Sequence, residues 1–322
     1  MVPTPQRFVY KQVEGVDIDL DVYEDTSIIP NTQTPVVVYL HGGGFVLGNK
    51  EAVPKYIVEE VLRRKWILVS ANYRLAPQTP IGEIYKDVID VVTWVREELP
   101  KKTKSTLNPE KVSLWGSSAG GTLALLAGSY SKKVPNAIVA FYAATEILPT
   151  LQLGSTTKTT SLQSLPEQIR KAAQTPPVVV ETPFEINPVT GGPEIQKFAN
   201  HPRYQLVANA NKYGCRVEVM TGLNPNSEAD LPKFKDISPI HHIHSSYPPT
   251  YLVHGGADAM VPPEHSLNMT KELEKAERKV RLEIVPEKNH VFDFAINHGS
   301  EEYEKFVAPV FDFLQLQFGL AQ

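Results

Sequence analysis

The ten residues from Val112 to Gly121, Val-Ser-Leu-Trp-Gly-Ser-Ser-Ala-Gly-Gly, constrain the fold of this chain more than any other segment. The apolar start predicts a buried strand over Val112–Trp115, and the Ala- and Leu-rich residues Thr122–Ala127 predict a helix after a sharp turn. The turn has the pattern G-x-S-x-G, with Ser118 at its centre. A strand–turn–helix of this kind strains its apex residue and exposes the hydroxyl. We therefore predict that Ser118 is a nucleophile, although the five-residue pattern alone also fits an ordinary Gly-rich turn.

Strand-like and helix-like segments alternate along the rest of the chain. Residues 16–23 alternate apolar and polar side chains and, with 7–13 before them, predict an antiparallel pair of strands. Further strands are predicted over 36–40, 66–72, 137–142, 250–254 and 280–285, and helices over 52–64, 81–99, 264–279 and 301–318. This order predicts an α/β protein with a mostly parallel sheet, in which ligands bind at the carboxyl ends of the strands.

A run of glycines follows the strand predicted over 36–40. Gly42, Gly43 and Gly44 lack side chains, so their backbone N–H groups can approach a substrate closely. We expect an oxyanion hole here, with Gly43 and Gly44 as the favoured donors. The N–H of Ala119, directly after the candidate nucleophile, would be a further donor. A flexible linker is the alternative, but the run lies between an apolar strand and Phe45.

A serine nucleophile needs a base and an acid that orients the base. His290 follows the last predicted strand and comes late in the chain, as the order Ser–Asp–His requires, so we predict that it is the base. Asp258, in a Gly-rich loop after a strand, is the preferred acid. Asp293 is the competitor, but it lies only three residues from His290. Asp258 could instead cap the following helix, which Pro262 and the next proline make less favourable.

Composition and residue spacing give no reason to expect several classes of partner. A net charge of -4 gives no reason to expect nucleic acid as a partner. No apolar run reaches the roughly 18 residues of a membrane span, so we expect no stable membrane insertion. The single cysteine, Cys215, and a start without a signal-peptide pattern predict a cytoplasmic protein. His241, His242 and His244 lack carboxylate or Cys partners at ligand spacing, so we expect no metal site.

Taken together, these motifs resemble one family: the α/β-hydrolase superfamily, and within it the hormone-sensitive-lipase-like esterases. The resemblance runs from about Val13 to Phe318 and rests on His41-Gly-Gly-Gly-Phe, Tyr73-Arg-Leu-Ala-Pro, Asp87, Gly116-Ser-Ser-Ala-Gly-Gly, Asp258 and His290. It implies an α/β-hydrolase fold and a cofactor-free hydrolase of carboxylic esters. In that enzyme Ser118 is the nucleophile, His290 the base and Asp258 the orienting acid.

The chain also departs from this family in places that bear on the substrate. Ser117 stands where the family commonly has Asp, and Gln78-Thr79 stands where Glu-His is common. Only 40 residues precede the glycine loop, so the usual N-terminal helical cap is expected to be absent or reduced. Residues 146–231 interrupt the alternation of strands and helices, and we predict that they form a lid over the core made by 1–145 and 232–322.

The sequence thus predicts a serine hydrolase that cleaves small or medium carboxylic esters through an acyl-enzyme. Three other reactions keep the same residues: those of a lactonase, an arylformamidase and an acyl-processing enzyme of natural-product biosynthesis. A small-molecule binding protein on a hydrolase scaffold is the alternative from another class. The apolar final helix either packs on the core or forms a homodimer.

Overall fold

The fold is organised around one sheet. The structure, a computed structural model, describes residues 3–25, 33–103, 106–152, 161–176, 178–185, 187 and 194–320. The strands within these ranges are β1 (Gln6–Val13), β2 (Val16–Tyr23), β3 (Thr34–Leu40), β4 (Ile67–Ala71), β5 (Leu107–Ser117), β6 (Ile138–Phe141), β7 (Thr250–Gly255) and β8 (Val280–Val285). Their spatial order is β1-β2-β4-β3-β5-β6-β7-β8. The β1–β2 and β2–β4 pairs are antiparallel and all the others are parallel, which confirms the predicted arrangement.

Helices cover both faces of this sheet. The α-helices of the described ranges are α1 (Lys55–Arg63), α2 (Ile81–Glu97), α3 (Ala119–Tyr130), α4 (Ile147–Gln152), α5 (Glu167–Gln174), α6 (Pro202–Lys212), α7 (Arg216–Thr221), α8 (Leu231–Asp236), α9 (Glu264–Lys275) and α10 (Ala308–Gln317). None of the helices in these ranges has the length and apolar character needed to cross a bilayer.

The central strands read as continuous apolar runs because each of their faces is buried. Along β3, Val36 and Val38 pack into a core that includes residues of α2 and α3. Val37 and Tyr39 alternate with them and pack into a second core that includes residues of α1 and α10. Alternate side chains of a strand point to opposite faces, so a strand covered on both sides needs apolar residues throughout.

Prolines and one left-handed residue account for most differences between predicted and observed helix bounds. The helix predicted over 52–64 begins at Lys55, because Pro54 lies directly before it and restricts the preceding backbone. The last helix contains a π turn at Tyr303–Val307 before α10. Pro309 has no N–H to donate to the carbonyl four residues earlier, which favours the wider turn. The helix predicted over 264–279 ends at Lys275, two residues before Glu277, which has a φ of +57°.

The segment predicted as a lid, residues 146–231, lies between β6 and β7. Its described parts include the helices α4, α5, α6 and α7. The polar stretch that begins at Gly154, and much of the Pro-rich run that follows α5, lie outside the described residues. The division of the chain into a core and a lid stays a prediction.

Candidate active site

Ser118 occupies the sharp turn between β5 and α3. It has φ of 53° and ψ of -119°, a backbone conformation that non-glycine residues rarely adopt. The flanking glycines are required by close packing. A Cβ on Gly116 would lie 2.2 Å from the carbonyl oxygen of Gly120, and one on Gly120 would lie 2.1 Å from that of Leu40. The G-x-S-x-G pattern therefore follows from the tight approach of this turn to itself and to β3.

The structure brings the three predicted triad residues together. The imidazole Nε2 of His290 lies 3.0 Å from the hydroxyl oxygen of Ser118. The Nδ1 on its other side lies 2.6 Å from a carboxylate oxygen of Asp258. In the tautomer that fits both contacts, Nδ1–H donates to the carboxylate and Nε2 accepts the serine proton. The arrangement can remove a proton from Ser118 and stabilise the resulting imidazolium.

Asp258 is fixed by its own loop as well as by His290. One carboxylate oxygen accepts hydrogen bonds from the backbone N–H groups of Met260 and Val261, both at 2.9 Å. The other lies 3.4 Å from Nε2 of the buried His254. Burial alone would raise the pKa of Asp258, but the hydrogen bonds from His254 and His290 outweigh it and hold the pKa well below its usual value. The carboxylate is therefore ionised at neutral pH.

Asp293, the competing acid, has a different environment. Its two oxygens accept hydrogen bonds from the hydroxyls of Tyr56 (2.8 Å) and Tyr142 (2.5 Å). Burial raises the pKa of Asp293, and these hydrogen bonds oppose the rise. The Tyr142 ring lies 4.6 Å from that of His290. Asp293 thus anchors a ring that packs against His290. Sequence reasoning missed this pair, because nothing in the sequence joins Tyr142 to a residue 151 positions later.

The predicted oxyanion residues Gly42, Gly43, Gly44 and Ala119 line the same cavity as Ser118. Gly43 and Gly44 have positive φ angles of 113° and 62°, which glycine adopts without strain. Gly43 also turns the loop, since its carbonyl oxygen accepts hydrogen bonds from the backbone N–H groups of Val46 (3.2 Å) and Leu47 (2.9 Å).

His41 holds the start of this glycine loop. Its ring stacks on Tyr73 at 4.3 Å, and its Nδ1 lies 2.7 Å from the carbonyl oxygen of Gly42. The Tyr73 hydroxyl donates to the backbone oxygen of His41 at 2.7 Å. Burial lowers the pKa of His41 to about 4, so its ring is neutral at physiological pH. The neutral ring donates to Gly42 and supports the loop without adding charge to it.

The cavity beside Ser118 has a volume of about 320 Å³ and mainly apolar walls. The segment 146–231 supplies much of its lining, from α4, α6 and α7. The apolar side chains from these helices are Ile147, Leu151, Tyr204, Val207 and Met220. Arg216 and Asn211, also from this segment, are polar members of the lining that sequence reasoning missed. A cavity of this kind fits a small, largely apolar molecule.

The three histidines that lie close together in the sequence each contact a different residue. His242 contacts the carbonyl oxygen of Lys235 at 2.7 Å, and His244 contacts the Ser246 hydroxyl at 3.0 Å. His241 lies 3.9 Å from Glu146. In the part of the chain that the structure describes, no group of three or more His, Cys, Asp or Glu side chains could hold a metal ion.

Solved structures of other proteins share the fold of this chain. A solved structure with the same fold is the thermophilic esterase Est2 from the Planctomycetes species Thermogutta terrifontis, with a TM-score of 0.64 and 21% identity over 99% of this chain and 94% of that one. Another is that esterase phosphonylated by sarin, with a TM-score of 0.65 and 20% identity over 100% and 98% of the two chains. At these identities the likeness shows the fold.

Among curated proteins, the chain is similar to parts of much longer ones. It is 29% identical over 324 residues to the non-reducing polyketide synthase ascC of Acremonium egyptiacum, a match of 95% of this chain and 15% of that protein. It is 28% identical over 309 residues to the non-reducing polyketide synthase atr1 of Stereocaulon alpinum, covering 89% and 12%. The chain therefore spans less than a sixth of the length of these relatives.

Sequence profiles of two families match the chain. The profile of the prolyl oligopeptidase family matches residues 204–321, which include β7, β8 and His290. The profile of the alpha/beta hydrolase fold family matches residues 37–208, which include the glycine loop and Ser118. Because the second match covers more than half of the sequence, and the sheet order and helix placement agree with it, this protein belongs to the alpha/beta hydrolase fold family.

Proposed function

We propose that this protein is a serine hydrolase of carboxylic esters. The observation that carries the proposal is the hydrogen-bonded series Ser118–His290–Asp258, which opens into an apolar cavity that is also lined by the glycine loop. A hydroxyl paired with a neutral imidazole, and an imidazole paired with an ionised carboxylate, are the parts that acyl transfer through serine requires.

The first half of the reaction forms an acyl-enzyme. His290 Nε2 takes the Ser118 proton while the serine oxygen attacks the ester carbonyl. The N–H groups of Gly43, Gly44 and Ala119 stabilise the developing oxyanion, and each donor is worth roughly 3 to 4 kcal/mol in comparable sites. His290 then gives the proton to the departing alkoxide, which leaves as the alcohol.

The second half hydrolyses the acyl-enzyme. Water enters the position that the alcohol has left, and His290 takes its proton as the water oxygen attacks the acyl carbonyl. The tetrahedral intermediate collapses, the proton returns to Ser118, and the carboxylic acid is released. Asp258 stays ionised throughout and stabilises the imidazolium that forms in each half.

The compared proteins support this proposal. The structural neighbour from Thermogutta terrifontis is named an esterase, and one of its structures is described as phosphonylated by sarin. The same proposal includes a lid formed by residues 146–231, whose helices line the cavity above Ser118. It also includes a small-molecule ester as the partner and a cytoplasmic location, the latter favoured by the single cysteine.

The proposal is tested with p-nitrophenyl butyrate and two neighbouring serine variants. Ser118→Ala should lower kcat by at least about 10⁴-fold, because the nucleophile is lost. The matched control is Ser117→Ala, which removes the hydroxyl of the neighbouring serine. That hydroxyl oxygen lies 3.3 Å from the Tyr39 hydroxyl. This variant should keep kcat within about tenfold of wild type. Near-normal turnover by folded Ser118→Ala protein would reject the assignment.

A second candidate function is the processing of a polyketide-type acyl group. It is favoured by the curated relatives, whose names describe polyketide synthases and whose matched parts span nearly this whole chain. The same serine chemistry would act on an ester or thioester of an aromatic acyl group. Turnover of aromatic N-acetylcysteamine thioesters at rates well above those of simple p-nitrophenyl esters would favour this candidate.

A further inference from the structure

Arg216 brings a positive charge to the wall of the cavity beside Ser118. It is the first residue of α7, and Met220, one helical turn later on the same face, lines the cavity as well. Asn211, near the end of α6, adds an amide to the lining. Of the described residues around the cavity, Arg216 is the one that carries a permanent charge.

No described side chain neutralises this charge. The buried Nε of Arg216 makes no hydrogen bond to any described residue, and no described carboxylate forms an ion pair with the guanidinium. The stretches outside the described ranges contain no Asp or Glu. Burial lowers the pKa of Arg216, as expected for a cation partly removed from water without a counter-charge. Such burial is costly unless a partner arrives.

Arg203, in α6, is a buried arginine of the same segment whose hydrogen bonds give it a structural role. Its guanidinium donates to the carbonyl oxygens of Val46 and Ala76 and to the side-chain oxygen of Gln78. These bonds tie α6 to the loops that follow β3 and β4. Among the described residues Arg216 has no comparable set of hydrogen-bond acceptors. Because its side chain lines the cavity, a ligand in the cavity could supply them.

We propose that Arg216 binds a carboxylate of the substrate, so that this site prefers esters that carry a carboxylate group away from the scissile bond. The inference rests on the proposed ester hydrolase function. A carboxylate presents two oxygens in the geometry of the guanidinium fork. The rest of the wall is apolar, so the skeleton between the scissile carbonyl and the carboxylate is hydrophobic. The preferred substrate class is therefore the amphipathic half-ester or acyloxy acid.

The catalytic test compares each charged ester with a neutral analogue. One pair is 4-(butanoyloxy)benzoate and its methyl ester, which places the charge on the leaving group. The other is monomethyl adipate and methyl hexanoate, which places it on the acyl group. We expect the wild-type protein to favour the acid in at least one pair.

Arg216→Gln should lower kcat/KM for the favoured acid by about 10- to 100-fold, mainly through KM, and change the neutral analogue by less than about threefold. Arg216→Lys should retain part of the preference. Arg170→Gln, in α5, removes an arginine whose partner is Gln163 and serves as the matched control. An acid-to-neutral ratio that is the same in wild type and Arg216→Gln, in both pairs, would overturn the inference.

A binding measurement separates this inference from the proposed function. Calorimetry with Ser118→Ala protein measures the Kd of each acid without turnover, and adding Arg216→Gln should weaken the tighter Kd by about 10- to 100-fold. An unchanged Kd, or no binding of either acid to Ser118→Ala, would overturn the Arg216 inference even if ester hydrolysis is established. If the wild-type protein has no esterase activity but an acid binds in a way that depends on Arg216, the inference is upheld and the proposed hydrolase function is rejected.

Discussion

At the scale of single residues, the site depends on backbone positions that exclude most side chains. Ser118 holds a positive φ between β5 and α3, and the flanking glycines permit the close packing that keeps it there. Gly43 has the same importance for the shape of the glycine loop. Its φ is +113°, and a Cβ built on it would lie 2.1 Å from the carbonyl oxygen of Leu47. The loop cannot keep this shape with any other residue at position 43.

We predict that Gly43→Ala lowers kcat for p-nitrophenyl butyrate by at least about 100-fold with a smaller change in KM, since a displaced donor acts mainly on the transition state. Gly15→Ala is the control. Gly15 also has a positive φ (+78°), but a Cβ there would meet no heavy atom within 4 Å. It should cost about 1 kcal/mol of unfolding free energy and leave kcat unchanged. Steady-state kinetics and urea unfolding measure both, and activity of Gly43→Ala within threefold of wild type would contradict the role of this loop.

Residue types and their place after strands were enough to predict the candidate site. Ser118, Asp258 and His290 each follow a strand of the parallel sheet, whose carboxyl ends lie along one edge. Arg216 could not be predicted in this way, because a lone arginine in a short helix carries no pattern. Its significance comes from the absence of a partner among the described residues, which is a property of packing in three dimensions.

At the scale of elements, Glu60 in α1 connects that helix to the C-terminal part of the chain. Its carboxylate accepts hydrogen bonds from Arg63 and Arg64 at 2.5 to 2.6 Å and contacts His298 at 2.7 Å. Arg64 in turn pairs with Asp312 of α10. Burial by itself would raise the pKa of Glu60, but the three basic partners outweigh it and lower the pKa to about 2.

This lowered pKa gives a prediction with a definite sign. The folded-state pKa of Glu60 lies below the unfolded value of about 4.3, so its stabilisation is present above that value and is lost as the pH falls towards about 2. Glu60→Gln should lower the free energy of unfolding by about 2 kcal/mol at pH 7, and the difference should shrink between about pH 5 and pH 3.

Urea unfolding at pH 7, 5 and 3.5 measures this difference. Glu98→Gln is the control, because the partner of Glu98 is the surface residue Lys101 and such pairs contribute little. A Glu60→Gln effect that is equally large at all three pH values would contradict an ionic origin and point to packing instead.

The elements themselves were predicted better than their ends. The alternation of apolar runs and amphipathic segments identified the strands and the main helices, because sheets and helices impose different periods. The π turn at Tyr303–Val307 was not predicted, although Pro309 is the signal that could have indicated it. A proline indicates that one helix hydrogen bond is missing, but whether the helix ends there or forms a π turn depends on the surrounding packing.

At the scale of the whole molecule, the cavity lies where the strand ends and the segment 146–231 meet. The core contributes Ser118, His290 and the glycine loop, and the inserted helices contribute much of the remaining wall. Arg203 ties the two together through its hydrogen bonds to Val46 and Ala76. In the proposed enzyme, the core would therefore supply the reacting groups and the inserted helices most of the contacts that select the substrate.

The size of the cavity predicts a limit on acyl length. Each methylene buried against the apolar wall contributes about 0.8 kcal/mol, so kcat/KM should rise about fourfold per methylene from acetate upwards. A volume of about 320 Å³ lies at the small end of ligand pockets, so the rise should reverse before decanoate. A series of p-nitrophenyl esters measures this profile. If kcat/KM continued to rise up to decanoate, the inserted helices would not limit the cavity to the volume seen in this structure.

We propose that Ser118 is the nucleophile of an acyl-transfer site. Its most direct test is intact-mass spectrometry after treatment with a fluorophosphonate, followed by peptide mapping of wild type, Ser118→Ala and His290→Gln. This role predicts one adduct on wild type, located at Ser118, none on Ser118→Ala, and labelling of His290→Gln slowed by at least about 100-fold. An unlabelled wild-type protein, or an adduct that persists in Ser118→Ala, would contradict it.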